Sequence, residues 1–209
     1  MRTLFCLLVL ATAASGCRQA NLLPFYNTPD FTPEWVNPSL SYANIHTISD
    51  FNFVDQHGKQ VSEKTFAGKI YIADFFFTAC PGICKRLTSN LCEVQKVFSK
   101  DNDILLISHS VTPEADNVSR LSAYATDFGV QYDKWYLVTG DRKSIYRIAR
   151  ESYFADEDMG VKKDENDFLH TENVLLIDRH RRIRGVYKGT SALQIQDLIH
   201  DVKILEQEE

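Results

Sequence analysis

The stretch Ile70-Tyr71-Ile72-Ala73-Asp74-Phe75-Phe76-Phe77-Thr78-Ala79-Cys80-Pro81-Gly82-Ile83-Cys84 decides how the rest of the chain is read. Ile70 to Phe77 is apolar and aromatic apart from Asp74, the pattern of a central strand buried on both faces. Thr78 to Gly82 break the run. From Ile83 the apolar residues Leu87, Leu91, Val94 and Val97 recur at helical spacing to about Ser99. Pro81 suits the first turn of that helix, where a missing N–H is no loss. A strand therefore hands Cys80 and Cys84 to a helix start. Four residues apart on a helix, their sulfurs share one face, with Cα atoms about 6 Å apart. This separation permits a disulfide and equally permits two thiolates on one metal ion. The helix N-terminus favours negative charge, which predicts a lowered pKa for at least one of the thiols.

Downstream, Ile104 to Ile107 reads as a second buried strand, Asp116 to Phe128 as a helix, Trp135 to Val138 as a short strand and Gly140 to Tyr153 as another helix. Ala155 to Phe168 is acidic and polar and reads as a surface loop, longer than a connection needs. Val174 to Ile177 and Ile183 to Tyr187 flank the turn Asp178-Arg179-His180-Arg181, a hairpin, and Leu193 to Leu205 closes the chain as a helix. Upstream, Phe51 to Val54 and Val61 flank the turn Asp55 to Lys59, an N-terminal β-hairpin extension. Hairpin, β-α-β-α-β-α, hairpin, α predicts an α/β fold with a central mixed sheet flanked by helices.

The first residues read as an export signal: Arg2, then a short apolar run from Leu4 to Ala14. The run falls short of the roughly 20 residues needed to span a bilayer. Ala14-Ser15-Gly16-Cys17 resembles a bacterial lipobox, which makes Cys17 the acylated mature N-terminus; Ala11-Thr12-Ala13 offers ordinary signal cleavage instead. Residues 1–17 are thus read as the lipoprotein signal. Residues 18–44, with Pro24, Pro29, Pro33 and Pro38, are read as an extended tether in which Phe31 and Trp35 suggest partial packing, and residues 45–209 as the folded domain. This organisation implies a protein of the cell envelope, anchored by its lipid and facing the periplasm.

The chain has 209 residues, enough for one domain with a full core. Its net charge of -5 argues against nucleic acid as a partner. With Cys6 and Cys17 spent at the N-terminus, the body keeps Cys80, Cys84 and Cys92, and three thiols are no disulfide framework. In an oxidising compartment a close pair is redox-active, metal-binding or structural. A third ligand for a metal on two thiolates is at hand in His170, directly before the strand Val174 to Ile177.

Several spaced motifs resemble the Sco/SenC family in order. They are the stretch Lys69 to Cys84, the hairpin Asn52 to Lys59, Val111-Thr112-Pro113-Glu114, Trp135 to Gly140, His170 with its following strand, and Leu176 to Gly185. The likeness runs from about Ile45 to Leu205. It implies a thioredoxin-like fold and a copper site in which Cys80, Cys84 and His170 are the ligands, for Cu(I) and also for Cu(II). It implies copper delivery to, or maintenance of the thiols of, the copper centre of cytochrome c oxidase during assembly. Its partners would be the oxidase's copper-bearing subunit or another copper chaperone. The sequence departs from the family where Gly82 replaces a frequent Asp, Lys85 a frequent Pro and Thr112 the usual Asp.

Other candidates have plainer readings. Asp74 reads as a hydrogen-bonded structural acid, with tuning of the thiols as the alternative. Cys92 reads as a small core residue. His109 reads as a strand-end or loop residue, with support of the site as the alternative. His46, His57, His180 and His200 read as surface positions, and Arg179, Arg181, Arg182 and Arg184 as a solvated basic turn. The competing function is a membrane-anchored thiol–disulfide oxidoreductase cycling Cys80 and Cys84, in which His170 has no required role. A copper-sensing lipoprotein would use the same site. No phosphate loop or nucleophile elbow is present.

Overall fold

The computed structural model describes residues 22–36, 44–155 and 171–208. A two-stranded ribbon, β1 (Phe25–Tyr26) and β2 (Pro33–Glu34), precedes the main body. The body then runs through β3 (Asn52–Asp55), β4 (Gln60–Ser62), β5 (Ile70–Phe76), α1 (Ile83–Val97), β6 (Ile104–Ser110), α2 (Val118–Phe128), β7 (Trp135–Thr139), α3 (Arg142–Arg147), β8 (Asn173–Ile177), β9 (Ile183–Lys188) and α4 (Ala192–Glu208). The element order expected from the sequence stands, including the hairpin β3–β4 ahead of β5.

Seven strands form one mixed sheet in the order β4-β3-β7-β6-β5-β8-β9. β5, β6 and β7 are parallel, and β8 runs antiparallel to β5 with Tyr71 opposite Ile177 and Ala73 opposite Leu175. Every residue of β5 is buried, as its unbroken apolar run requires of a central strand covered on both faces. Alternation then sorts the sheet's side chains. Ile70, Ile72 and Phe76 face α1, α2 and α4, against Leu87, Leu91, Leu121, Leu198 and Val202. Tyr71, Ala73 and Phe75 face the other layer, with Phe51, Phe66, Ile145 and Tyr153. Burying side chains such as Leu87 and Leu91 stabilises the fold by roughly 1.5–3 kcal/mol each.

The helices start where their caps dictate. Asn117 accepts from the N–H of Arg120 to open α2, and Asp141 accepts from the N–H of Ser144 to open α3. Gly129 ends α2 in the left-handed region, with φ of 67°. At Gly189 a Cβ would come within 2.8 Å of the Leu87 side chain, so the exit of β9 fits against α1 only as glycine.

Several expectations need correction. β6 extends to Ser110, three residues beyond the expected end, because it pairs with β5 up to Phe76 and with β7 up to Val138. Trp35 is 68% exposed and anchors nothing. Phe31 does pack, edge-on to Phe154 with ring centroids 6.4 Å apart, and Leu23 and Phe25 hold the N-terminal segment where Trp35 does not. Arg184 donates to the carbonyls of Leu23 (2.7 Å) and Pro24 (3.1 Å), and the Leu23 N–H donates to Glu208. The arginines of the turn are therefore not all solvated. Arg184 is buried in ion pairs with Asp178 and Glu208, Arg182 pairs with Asp178 at 2.6 Å, and both guanidiniums lie over the Phe25 ring. Removing one member of such a buried set costs on the order of 3–5 kcal/mol, because its partners stay buried without it. His46 is half-buried, with Nε2 at 2.7 Å from the Ser152 carbonyl and its ring tilted against Phe154. His57, His180 and His200 are exposed, as expected.

Candidate metal centre

β5 ends at Phe76, and the chain turns through Phe77, Thr78 and Ala79 before α1. Cys80 lies ahead of the helix and Cys84 is its second residue, so the two are not related by a turn of helix as the spacing suggested. The N-cap residue is Gly82, which has no side chain to accept a hydrogen bond. The sulfur of Cys80 takes that part: the Cys84 N–H donates to Cys80 Sγ at 3.4 Å. Capping, rather than helical periodicity, brings the two cysteines together. Both are 6% exposed and both are free thiols.

The two thiols differ in electrostatics. Burial pushes the Cys80 thiol up, but the Cys84 side chain and the backbone N–H groups of Cys84, Gly82 and Ile83 donate to its sulfur and bring it below the ordinary cysteine value. Burial pushes the Cys84 thiol up to about 12, and its bond to Cys80 and the nearby charge of Cys80 and Asp74 act in the same direction. The pair thus consists of one sulfur poised to be a thiolate and one held as a thiol. The lowered thiol at a helix start was legible in the sequence; which of the two carries it was not.

The turn that carries Cys80 is itself held from below. Asp116, fully buried, accepts from the Thr78 N–H at 3.1 Å and the Thr78 hydroxyl at 2.5 Å. It also accepts from Ser110 Oγ at 2.6 Å and Thr112 Oγ1 at 3.0 Å, and Arg120 Nε donates to Thr78 Oγ1. Sequence reading missed Asp116, because it stands in the loop after β6 and only the fold brings it under the cysteines. Thr112 contributes a hydroxyl to this cluster.

Beneath α1, Asp74 is buried on β5 and accepts from the Ser108 hydroxyl, which in turn accepts from Trp135 Nε1 at 2.8 Å. Burial raises its carboxyl to about 7, against the opposing bond from Ser108. Asp74 is thus hydrogen-bonded, as the structural reading has it, and its charge also raises the Cys84 thiol, as the alternative has it. Cys92 lies half-buried on α1, with its thiol 3.3 Å from the Phe128 carbonyl. His109 is neither a loop residue nor part of the thiol site. It is the second-to-last residue of β6, as the strand-end reading has it, but on the opposite face, fully buried among Phe51, Phe53, Phe75 and Tyr153. Its Nδ1 is 3.3 Å from the Asp74 carbonyl, and Nε2 is the buried side-chain atom without a partner among the described residues.

His170 and Cys17 lie outside the described residues, as does the acidic loop beyond Ala155. Among the described residues no group of three or more His, Cys, Asp or Glu is arranged to hold a metal ion. The same residues contain no helix long and apolar enough to cross a membrane. What the fold does fix is the end of the sheet from which β8 starts. β8 is antiparallel to β5, so Thr171 and Asn173 lie at the end where β5 gives way to Cys80.

Comparison with known proteins follows the same outline. The SCO1/SenC family model matches residues 41–205. The crystal structure of a SCO1/SenC family lipoprotein from Bacillus anthracis aligns with a TM-score of 0.68 and 29% identity, over 78% of this chain and 96% of that one. BsSco, described as having a disulfide switch and as a member of the Sco family of cytochrome c oxidase assembly proteins, aligns with a TM-score of 0.65 and 28% identity, over 79% and 96%. Bradyrhizobium japonicum ScoI, solved with copper bound, aligns with a TM-score of 0.60 and 26% identity, over 76% and 98%. The central mixed sheet, its preceding hairpin and a family match over most of the chain converge on one assignment: this chain belongs to the SCO1/SenC family.

Proposed function

We propose that this protein binds copper through Cys80, Cys84 and His170 and delivers it during assembly of cytochrome c oxidase, with Cys17 as its lipid anchor on the periplasmic side. The observation that carries the reading is the pair of free cysteines joined through the Cys84 N–H, at a point where a strand hands over to a helix. Two soft sulfurs suit Cu(I), and one of them is already biased toward the thiolate that binds metal. An imidazole from His170, next to the strand that starts at the same end of the sheet, completes a three-ligand set. The copper-bound relative and the lipoprotein relative support the same reading. An open three-ligand site can pass its ion to the oxidase's copper-bearing subunit, or take it from another chaperone, by exchanging ligands one at a time.

The test is an anaerobic Cu(I) titration of the reduced protein against a competing chelator. One-to-one binding that His170→Ala weakens more than tenfold, above about 1.4 kcal/mol, is the expected result. Affinity indifferent to His170 removes it from the ligand set.

A second reading rests on the unequal thiols and on the disulfide switch of the related BsSco. Here the Cys80 thiolate attacks a disulfide of a partner protein and forms a mixed disulfide. Cys84 loses its proton and displaces the partner. The partner gains two electrons as two thiols, and Cys80 and Cys84 are left as a disulfide. Exchange of this kind needs both cysteines but not His170, so His170→Ala separates the two activities.

A further inference from the structure

We propose that the end of the sheet which clamps Leu23 to Phe25 rests against the bilayer holding Cys17, so that Cys80 and Cys84 are presented away from the membrane. The inference rests on the lipid-anchor reading of Cys17 and adds an orientation to it. Its first support is the clamp. Leu23 is held at both backbone groups, its N–H by Glu208 and its carbonyl by Arg184, while Phe25 lies beneath the guanidiniums of Arg182 and Arg184. The chain emerges from this grip at Leu22, which is 43% exposed.

The second support is topology. Arg184 follows Ile183, which pairs with Ile177, and Ile177 pairs with Tyr71 at the start of β5. Cys80 follows the other end of the same strand. β5 alone separates the two levels by about 20 Å, from a rise of about 3.3 Å per residue. The third support is length. The six steps from Cys17 to Leu23 span at most about 21 Å when fully stretched. Bringing the cysteine end down to the bilayer would need this strap almost fully stretched along the side of the domain, whereas every less extended strap keeps the clamped end nearer the bilayer.

The charge at the clamped end suits close approach to a lipid surface without a demand for anionic lipid. Lys69 and Arg179 share the one carboxylate of Asp103, Glu206 lies near Arg179 and Asp101, and Arg181 pairs with Asp50, so both signs are present at this end.

The test uses the full-length acylated protein in phosphatidylcholine nanodiscs containing a lipid with a gadolinium-chelate headgroup, read by paramagnetic broadening of amide resonances. Broadening of His180 and Asp103 at least threefold stronger than that of Ile83 and Cys84 is expected. A twenty-residue Gly/Ser insertion after Asn21 leaves the fold untouched and should abolish the contrast. Arg184→Ala should reduce it by releasing Leu23. Equal broadening at both ends, or stronger broadening at Cys84, overturns the orientation while leaving the anchor in place. Mass spectrometry that finds Cys17 without its acyl group overturns the anchor, and the orientation with it.

Discussion

Asp116 grips Thr78 twice, through the backbone N–H at 3.1 Å and through the hydroxyl at 2.5 Å, and thereby fixes the turn two residues before Cys80. The same carboxylate gathers the hydroxyls of Ser110 and Thr112, so one buried charge ties the end of β6 to the cysteine turn.

Asp116→Asn replaces one accepting oxygen by a donating amide and sets it against hydroxyl and N–H groups. A stability loss of about 1–3 kcal/mol is expected in urea unfolding, from donors left without an acceptor. Cu(I) affinity should fall by more than the stability loss alone would reduce it, when both are compared with an equally destabilising core variant such as Val202→Ala. Unchanged affinity in the folded Asp116→Asn protein would show that Asp116 is structural only.

The thiols should react in a fixed order. Hydrogen bonds bring Cys80 below the ordinary cysteine range, while burial holds Cys84 near 12. Alkylation of the reduced protein by iodoacetamide at pH 7, followed by peptide mapping, should modify Cys80 at least tenfold faster than Cys84. Cys84→Ser should leave Cys80 reactive, whereas Cys80→Ser should not transfer that reactivity to Cys84. Equal rates would mean that the N–H groups around Cys80 do not stabilise its thiolate in solution.

Asp74 and His109 should give stability slopes of opposite sign. Asp74 is raised by burial from 3.8 to about 7, so between these values the folded chain holds a proton that the unfolded chain has released. Its contribution is greatest below the unfolded value and is lost as pH rises toward 7. His109 is lowered by burial from 6.5 to about 4, so in that window the unfolded chain binds a proton that the folded chain refuses. Its contribution is complete above 6.5 and is lost as pH falls. Asp74→Asn, which keeps an oxygen for Ser108, should therefore stabilise the protein at pH 8 more than at pH 5. His109→Phe should do the reverse. Urea midpoints at the two pH values decide, and shifts that are the same at both would refute the assignment.

The stretch from Ile70 to Cys84 announced its strand, its break and its helix, because an unbroken apolar run and a helical repeat are read from composition alone. The two hairpins were equally plain from their turns. The burial of His109 was hidden by Ser108 and Ser110, whose polarity marks the strand end that β6 does reach at Ser110. Both serines face the α1 layer, where Asp74 and Asp116 employ them, and His109 alternates to the opposite side. Arg182 and Arg184 were hidden in the same way. A cluster of arginines reads as solvated until Asp178, Glu208 and the Phe25 ring are brought to it from distant parts of the chain. Asp116 was illegible for want of any local pattern, since its partners Thr78 and Ser110 belong to other elements.

The sulfur that closes the first turn of α1 is also the sulfur offered to an ion or a disulfide. A bond at Cys80 would draw on the same sulfur whose lone pairs receive the Cys84 N–H. On the proposed reading, filling the site would therefore bear directly on that turn, whose flanking Pro81 and Gly82 are exposed. The state of a buried pair of atoms would then be felt at the surface, in backbone that another protein can touch.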